Sequence, residues 1–295
     1  MVGNNLRDEL KESHQIIAPS SSELNLMKYD DVHAFLKEHQ VDCVIHCAGR
    51  VGGIQANIKN PVDFLTENSI MGQNIVLASK NLGIKKLINF GSSCMYPKAA
   101  KNPIKEDALL TGSLEPTNEG YALAKLNVAK LCEYVNKENK DFHYKTLIPC
   151  NLYGYYDSFS PEKSHMIPAV IRKIYEAKKN NSPSVVIWGD GTAKREFLFT
   201  KELSKIVSFI LRDLQSLPNY LNIGLGRDYT IKEYYQEIAS VIGYHGLFEF
   251  DKSKPVGMKQ KLVDISRLKQ LGWNKESNLR DGLEETFKYF LKNEV

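Results

Sequence analysis

Along this chain, short apolar runs alternate with longer stretches whose apolar residues recur every three to four positions. Gln15-Ile-Ile-Ala18, Cys43-Val-Ile-His-Cys-Ala48, Lys86-Leu-Ile-Asn-Phe90 and residues 144–149 are short runs with little polar alternation. Such runs predict strands buried on both faces, as in a parallel sheet. Between them, residues 6–13, 31–39, 62–81 and 119–136 carry the helical period. Strand and helix alternating through residue 155 predict an α/β fold with a doubly wound parallel sheet. The rest is less regular. A polar loop at 155–162 leads to a helix at 166–179 and a strand at 184–188. A strand at 220–223, a helix at 231–242, a strand at 247–251 and a closing helix at 281–292 follow. This second part predicts a smaller C-terminal domain that returns to the first.

The strand at 86–90 runs straight into Gly91-Ser92-Ser93-Cys94-Met95-Tyr96-Pro97. Hydroxyls there fall at the carboxyl edge of the sheet, where open α/β folds bind ligands. Tyr121 and Lys125 are four apart on a predicted helix, so both lie on one face. An ammonium beside a phenol favours the phenolate, and a phenol so tuned exchanges protons near neutral pH. With a serine to hold a carbonyl oxygen, the three groups form a carbonyl-reduction site that lacks only a hydride donor. A tyrosine–lysine spacing alone is common on solvated helix faces; its pairing with the upstream serine turn makes it specific.

Composition narrows the classes. The 295 residues are 42% hydrophobic and 25% charged, which suits a soluble globular chain with a sizeable core. A net charge of +4 suits a polyanionic small ligand. No basic patch interleaved with aromatics points to nucleic acid. Cys43, Cys47, Cys94, Cys132 and Cys150 are odd in number and sit mostly in apolar runs. They read as reduced thiols of a cytoplasmic protein, with no zinc spacing. No apolar run is long enough to span a membrane. His46, inside a strand, reads as a core histidine.

Several segments together resemble one family. They are Arg50-Val-Gly-Gly-Ile-Gln-Ala-Asn57, the Gly91 turn, Leu114-Glu-Pro-Thr-Asn-Glu119, Tyr121-Ala-Leu-Ala-Lys125 and Asn151-Leu-Tyr-Gly154. Ser164-His-Met-Ile-Pro168, Trp188-Gly-Asp-Gly-Thr192, Arg195-Glu-Phe197 and Leu271-Gly-Trp273 continue in the family's order. The chain is similar to the GDP-L-fucose synthase family of extended short-chain dehydrogenases/reductases, and the likeness spans nearly its whole length. The resemblance implies a Rossmann-like dinucleotide-binding domain at residues 1–156 with a return at about 196–233. A nucleotide-sugar domain would then take 157–195 and 234–295.

The resemblance also implies an activity: 3,5-epimerisation of GDP-4-keto-6-deoxy-mannose and reduction at C4 with NADPH, giving GDP-L-fucose. Tyr121 would protonate the oxyanion, Lys125 would hold the nicotinamide ribose, and Ser92, with Ser93 as second choice, would polarise the carbonyl. Cys94 and His165 would serve as the epimerisation pair; their bland readings are a strand-end cysteine and a loop histidine. Gly3, Phe90, Gly91, Ser92, Ser93, Lys125, Pro149, Cys150, Asn151, Leu152 and His165 would contact NADP(H), with NAD(H) as an alternative. Asn151, Lys173, Trp188 and Arg195 would bind the GDP-linked 4-keto sugar. The helices at 62–81 and 119–136 would form a homodimer interface.

There are departures. Lys173 and Val256 stand where the family has arginine and aspartate, and Leu247 where it has a basic residue. Ser21 stands near the family's cofactor-selecting arginine. These motivate a second expectation, reduction of another GDP-4-keto sugar of the heptose or colitose type. Met1-Val-Gly3 leads directly into a helical pattern, so only the last glycine of the family's glycine-rich turn is present. That gives two further expectations: weak cofactor binding by the chain as written, or an inactive nucleotide-sugar-binding protein.

Overall fold

The computed structural model describes residues 1–160, 164–253, 258–275 and 278–295. Val256 and the last two residues of the polar loop expected at 155–162 lie outside the described residues. In chain order the first part comprises α1 (Val2–Leu10), α2 (Tyr29–His39), β1 (Cys43–His46), α3 (Ile54–Lys59) and α4 (Pro61–Asn81). β2 (Lys86–Phe90), α5 (Glu119–Glu138), β3 (His143–Pro149) and β4 (Asn151–Tyr153) follow. The second part begins with α6 (Met166–Lys179), β5 (Ser184–Trp188), β6 (Lys194–Arg195), β7 (Phe197–Phe199), α7 (Thr200–Ile210) and β8 (Tyr220–Ile223). It ends with β9 (Tyr229–Thr230), α8 (Ile231–Ile242), β10 (Leu247–Asp251), β11 (Gln260–Lys261), α9 (Ser266–Gln270) and α10 (Leu279–Asn293).

The main sheet has the order β1-β2-β3-β8, all parallel. Leu87, Ile88, Asn89 and Phe90 of β2 are all buried, as a central strand covered by helices on both faces requires. α4 and α5 pack closely because Gly72 leaves room for Val128; a Cβ there would lie 2.3 Å from Val128 Cγ2. α5 faces two cores. Ala122, Leu126 and Ala129 join a core with Leu147, Leu198 and Ile206, whereas Val128, Cys132 and Val135 join one with Val32, Val76 and Tyr144.

The expected strand at 15–18 does not form; these residues are irregular. A strand exists only in a ladder, and among the described residues no neighbour pairs with β1 on its other side. Ile16 still packs against the first core, but Ile17 is exposed. His46 is buried, and burial with the nearby Lys125 charge lowers its pKa to about 3, so it is a neutral core imidazole.

A separate core gathers Tyr153, Ile167, Ile174, Ile187, Phe197, Tyr234, Ile238 and Phe290 beneath the parallel pair β5–β10. α8 is fixed at both ends: Thr230 and Glu233 form a capping box, and Gly243 ends the helix at φ 72°. Val263 and Leu268 pack in the first core although they follow the second in sequence. Chain from beyond residue 258 therefore lies against the carboxyl end of the main sheet. All five cysteines are free thiols. Among the described residues no helix is long and apolar enough to cross a membrane, and no cluster of His, Cys, Asp and Glu could hold a metal.

Candidate active site

The site is built where β2 stops. Gly91 N donates to Leu147 O at 2.8 Å, keeping β2 against β3 to its last residue. A Cβ on Gly91 would lie 2.8 Å from Met95 Sδ and 3.1 Å from Thr146 Cγ2, so glycine lets the chain turn here. The turn Ser93–Met95 is one short 3₁₀ element, and Ser92 Oγ accepts from Cys94 N at 3.2 Å. Ser92 and Cys94 are thereby held two residues apart on one rigid turn.

α5 brings Tyr121 and Lys125 to this turn. The Ser92 hydroxyl lies close enough to the Tyr121 phenol to lower its pKa, whereas Ser93 is buried at 3% exposure. Lys125 Nζ donates to Phe90 O at 3.0 Å and stands 5.8 Å from the centre of the Tyr121 ring. Phe64 of α4 meets that ring edge-on. The electrostatics differ from the simple expectation. Burial raises the Tyr121 pKa, the Cys94 charge adds to the rise, and the Ser92 hydroxyl opposes it. Burial lowers the Lys125 pKa to about 8. The phenol is therefore held protonated, as a proton donor must be, and the lysine sits close to its own titration point.

Cys94 has two polar neighbours that the sequence pattern did not single out. Asn118 Nδ2 lies 3.1 Å from its sulfur and Lys261 Nζ 3.7 Å. Asn118 belongs to the Leu114–Glu119 segment, whose motif was visible without a role. Lys261 sits in β11 within an unremarkable polar stretch, so nothing local marked it. An ammonium beside a sulfur is the arrangement in which a thiolate works as nucleophile or base. His165 is the N-cap residue of α6, near Asp157, whose pKa burial raises. No hydrogen bond among the described residues joins His165 to the Ser92 turn.

The other expected positions are spread around this centre. Pro149 ends β3; Cys150 is buried, its thiol pKa raised well above normal by burial. Asn151 and Leu152 begin β4, and Asn151 Nδ2 donates to Glu196 O at 2.9 Å. Lys173 of α6 donates to Val186 O of β5, so one of its hydrogen-bond directions is committed. Trp188, at the end of β5, is 60% exposed. Arg195 Nη1 donates to Lys194 O at 2.7 Å. β6 pairs with β11 so that Arg195 stands opposite Lys261. A cavity of about 650 Å³ opens beside this ribbon, lined by Lys98, Asn102, Glu115, Thr192, Lys194 and Lys259. Its lysines suit a diphosphate. A smaller cavity of about 220 Å³ is lined by Asn57, Asn118 and Tyr121.

The residues fit the nicotinamide end of a dinucleotide. Just beyond β1, a Cβ on Gly49 would lie 2.9 Å from Asn68 Oδ1 and 3.6 Å from Lys125 Nζ, so the glycine keeps the approach to that ammonium open. Gly3, in the first turn of α1, faces the end of β1; its Cβ would lie 3.7 Å from Cys47. A helix N-terminus at the carboxyl edge of a parallel sheet is where a pyrophosphate is held. Further out, the Ser20 amide and hydroxyl both donate to Glu23 Oε2 at 2.7 Å, while Ser21 is exposed.

Residues 1–224 match the model of the NAD-dependent epimerase/dehydratase family. The chain belongs to that family. Within it, the chain is 51% identical to GDP-L-colitose synthase of Yersinia pseudotuberculosis, over 99% of this chain and 95% of that one. It is 46% identical to GDP-L-fucose synthase of Azorhizobium caulinodans, over 100% and 95%. A solved structure of a GDP-mannoheptose C4 reductase from Campylobacter jejuni with NADP bound superposes with a TM-score of 0.89 at 29% identity, over 98% and 95%. The family is one of nicotinamide-dinucleotide enzymes, and the fold is the expected Rossmann-like one.

Proposed function

We propose that this protein is a bifunctional epimerase–reductase of a GDP-linked 4-keto-6-deoxy sugar, working with NADPH. One observation carries the reading. The turn after β2 presents Ser92 to Tyr121 and, two residues on, Cys94 to Lys261 and Asn118. Groups for reduction and for proton abstraction thus face one carbonyl and its neighbouring carbon. NADPH supplies the hydride when bound. Tyr121, kept protonated by burial, gives its proton to the oxygen at C4 while Ser92 holds that oxygen. Lys125 holds the nicotinamide ribose. Cys94 removes the proton beside the ketone, and His165 returns one to the opposite face.

Arg195, Lys173 and Trp188 take the nucleotide end, and the lysine-lined cavity takes the diphosphate. The NADP-bound reductase relative supports NADPH over NADH. Two sugars are in contention. The fucose precursor, GDP-4-keto-6-deoxy-mannose, fits the motifs carried by Cys94 and His165. The colitose precursor is favoured by the higher identity to the colitose synthase, 51% against 46%. A homodimer completes the reading. Ile70 and Leu77 on α4, with Leu123 and Tyr134 on α5, stay exposed on two helices packed against each other.

The deciding experiment offers a panel of GDP-4-keto sugars with NADPH or NADH and identifies products by NMR. An L-configured 6-deoxy product is expected, with NADPH preferred. A C4 alcohol of unchanged configuration at its neighbours would leave the reductase and remove the epimerase. Sedimentation at micromolar concentration tests the dimer.

A further inference from the structure

Glu196 is a carboxylate with no solvent exposure, set between Arg195 and Phe197. Its Oε1 accepts from Leu225 N at 2.6 Å and Gly226 N at 2.8 Å, and its Oε2 accepts from Val263 N at 3.0 Å. Three amides from two distant segments converge on one side chain. Its own carbonyl accepts from Asn151 Nδ2 at 2.9 Å. The space is closed around it. A Cβ on Gly224 would lie 2.5 Å from Glu196 Oε1 and 2.8 Å from Val263 Cγ2. Burial, opposed by the three amides, raises its pKa to about 7, with Asp228 adding to the rise. Without the carboxylate these three amides would lose their acceptor, so the side chain ties both segments to its own.

Its partners are the segments that carry the proposed site. Arg195 precedes it in sequence. Lys261, two residues before Val263, lies opposite Arg195 in the β6–β11 pair and touches Cys94. Asn151 hangs on its carbonyl. We propose that Glu196 is a positioning residue that locks β6, the loop after β8 and the segment after β11 together, so that Arg195, Asn151 and Lys261 face one nucleotide sugar. The inference rests on the functional reading above and deepens it. The residue touches neither the sugar nor the cofactor and acts through the segments it holds. Asn151 is also among the residues expected at the cofactor, but β1, β2 and α5 carry none of the hydrogen bonds to Glu196 among the described residues.

Glu196→Gln keeps the shape but turns one acceptor into a donor that faces a backbone N–H. Gly224→Ala disturbs the same carboxylate without changing it. Both variants should raise the KM for the GDP-sugar and the Kd for GDP about tenfold. NADPH affinity, by titration, should stay within about twofold of wild type. A general loss of structure would instead weaken NADPH and GDP together, and that result overturns the proposal. Unchanged GDP affinity in both variants overturns it too. GDP binding by calorimetry needs no turnover, so the inference is judged even if no sugar in the panel reacts. Wild-type protein that binds no GDP overturns both this inference and the functional reading.

Discussion

The two halves of the candidate site are built differently. The reduction half sets Tyr121 and Lys125 on the regular, buried helix α5 and Ser92 on the turn that closes β2, the turn that also carries Cys94. The epimerisation half, Cys94 and His165, stands on a short turn and a helix N-cap, and its supporting cation arrives from β11. The first half is fixed by the spacing of residues along one helix and one strand-end turn. The second exists only because chain from the far end of the sequence returns to the sheet. A site on rigid elements holds its geometry more tightly than one on loops. The reduction half should therefore fail all at once when a group is removed, and the epimerisation half by degrees.

Tyr121→Phe gives the sharpest test of that contrast. It removes only the transferable proton, so ketone reduction should fall roughly 10²–10⁴-fold with GDP and NADPH binding intact. Near-normal reduction by this variant would dissolve the reduction half. Cys94→Ser should come next, lowering epimerisation by about 10²-fold, the lower end of acid–base catalysis, with reduction less affected. The NMR-identified product should then shift to the unepimerised 6-deoxy sugar; unchanged L-sugar output would return Cys94 to an ordinary strand-end cysteine.

Lys261→Met should have a smaller effect on the same half. Loss of one charged contact of ~1.5 kcal/mol predicts about a tenfold slower solvent-deuterium exchange beside the ketone. Reduction of an already epimerised substrate should be spared. Equal loss in both steps would show that Lys261 does not act through Cys94.

The last test is one of stability. Burial lowers the Lys125 pKa from 10.5 to about 8, so between these values the unfolded chain binds a proton that the folded chain does not. The contribution of Lys125 to stability must rise as pH rises through that window, by up to ~1.4 kcal/mol per pH unit. Cofactor-free wild type should gain in Tm relative to Lys125→Met between pH 8 and about 10. Parallel melting curves for the two proteins would show that this lysine is not desolvated.

The sequence by itself determined the elements and the local pairs. The boundaries of β2, α6, β5, β8, α8 and β10 follow from apolar period and from caps such as Thr230 with Glu233, which act within a few residues. The Tyr121–Lys125 face and the Ser92–Cys94 turn were legible for the same reason: helix pitch and a strand end place them without help from elsewhere. The tertiary structure decided the rest. It left residues 15–18 irregular although their apolar pattern reads as a strand, because a ladder needs a neighbour and sequence pattern does not supply one. It set the Ser92 hydroxyl near the Tyr121 phenol and buried Ser93. It set Lys261 against Cys94 across 167 residues and closed three amides on Glu196. Contacts of that range leave no periodicity in the chain, since they depend on where separate segments cross over the carboxyl edge of the sheet.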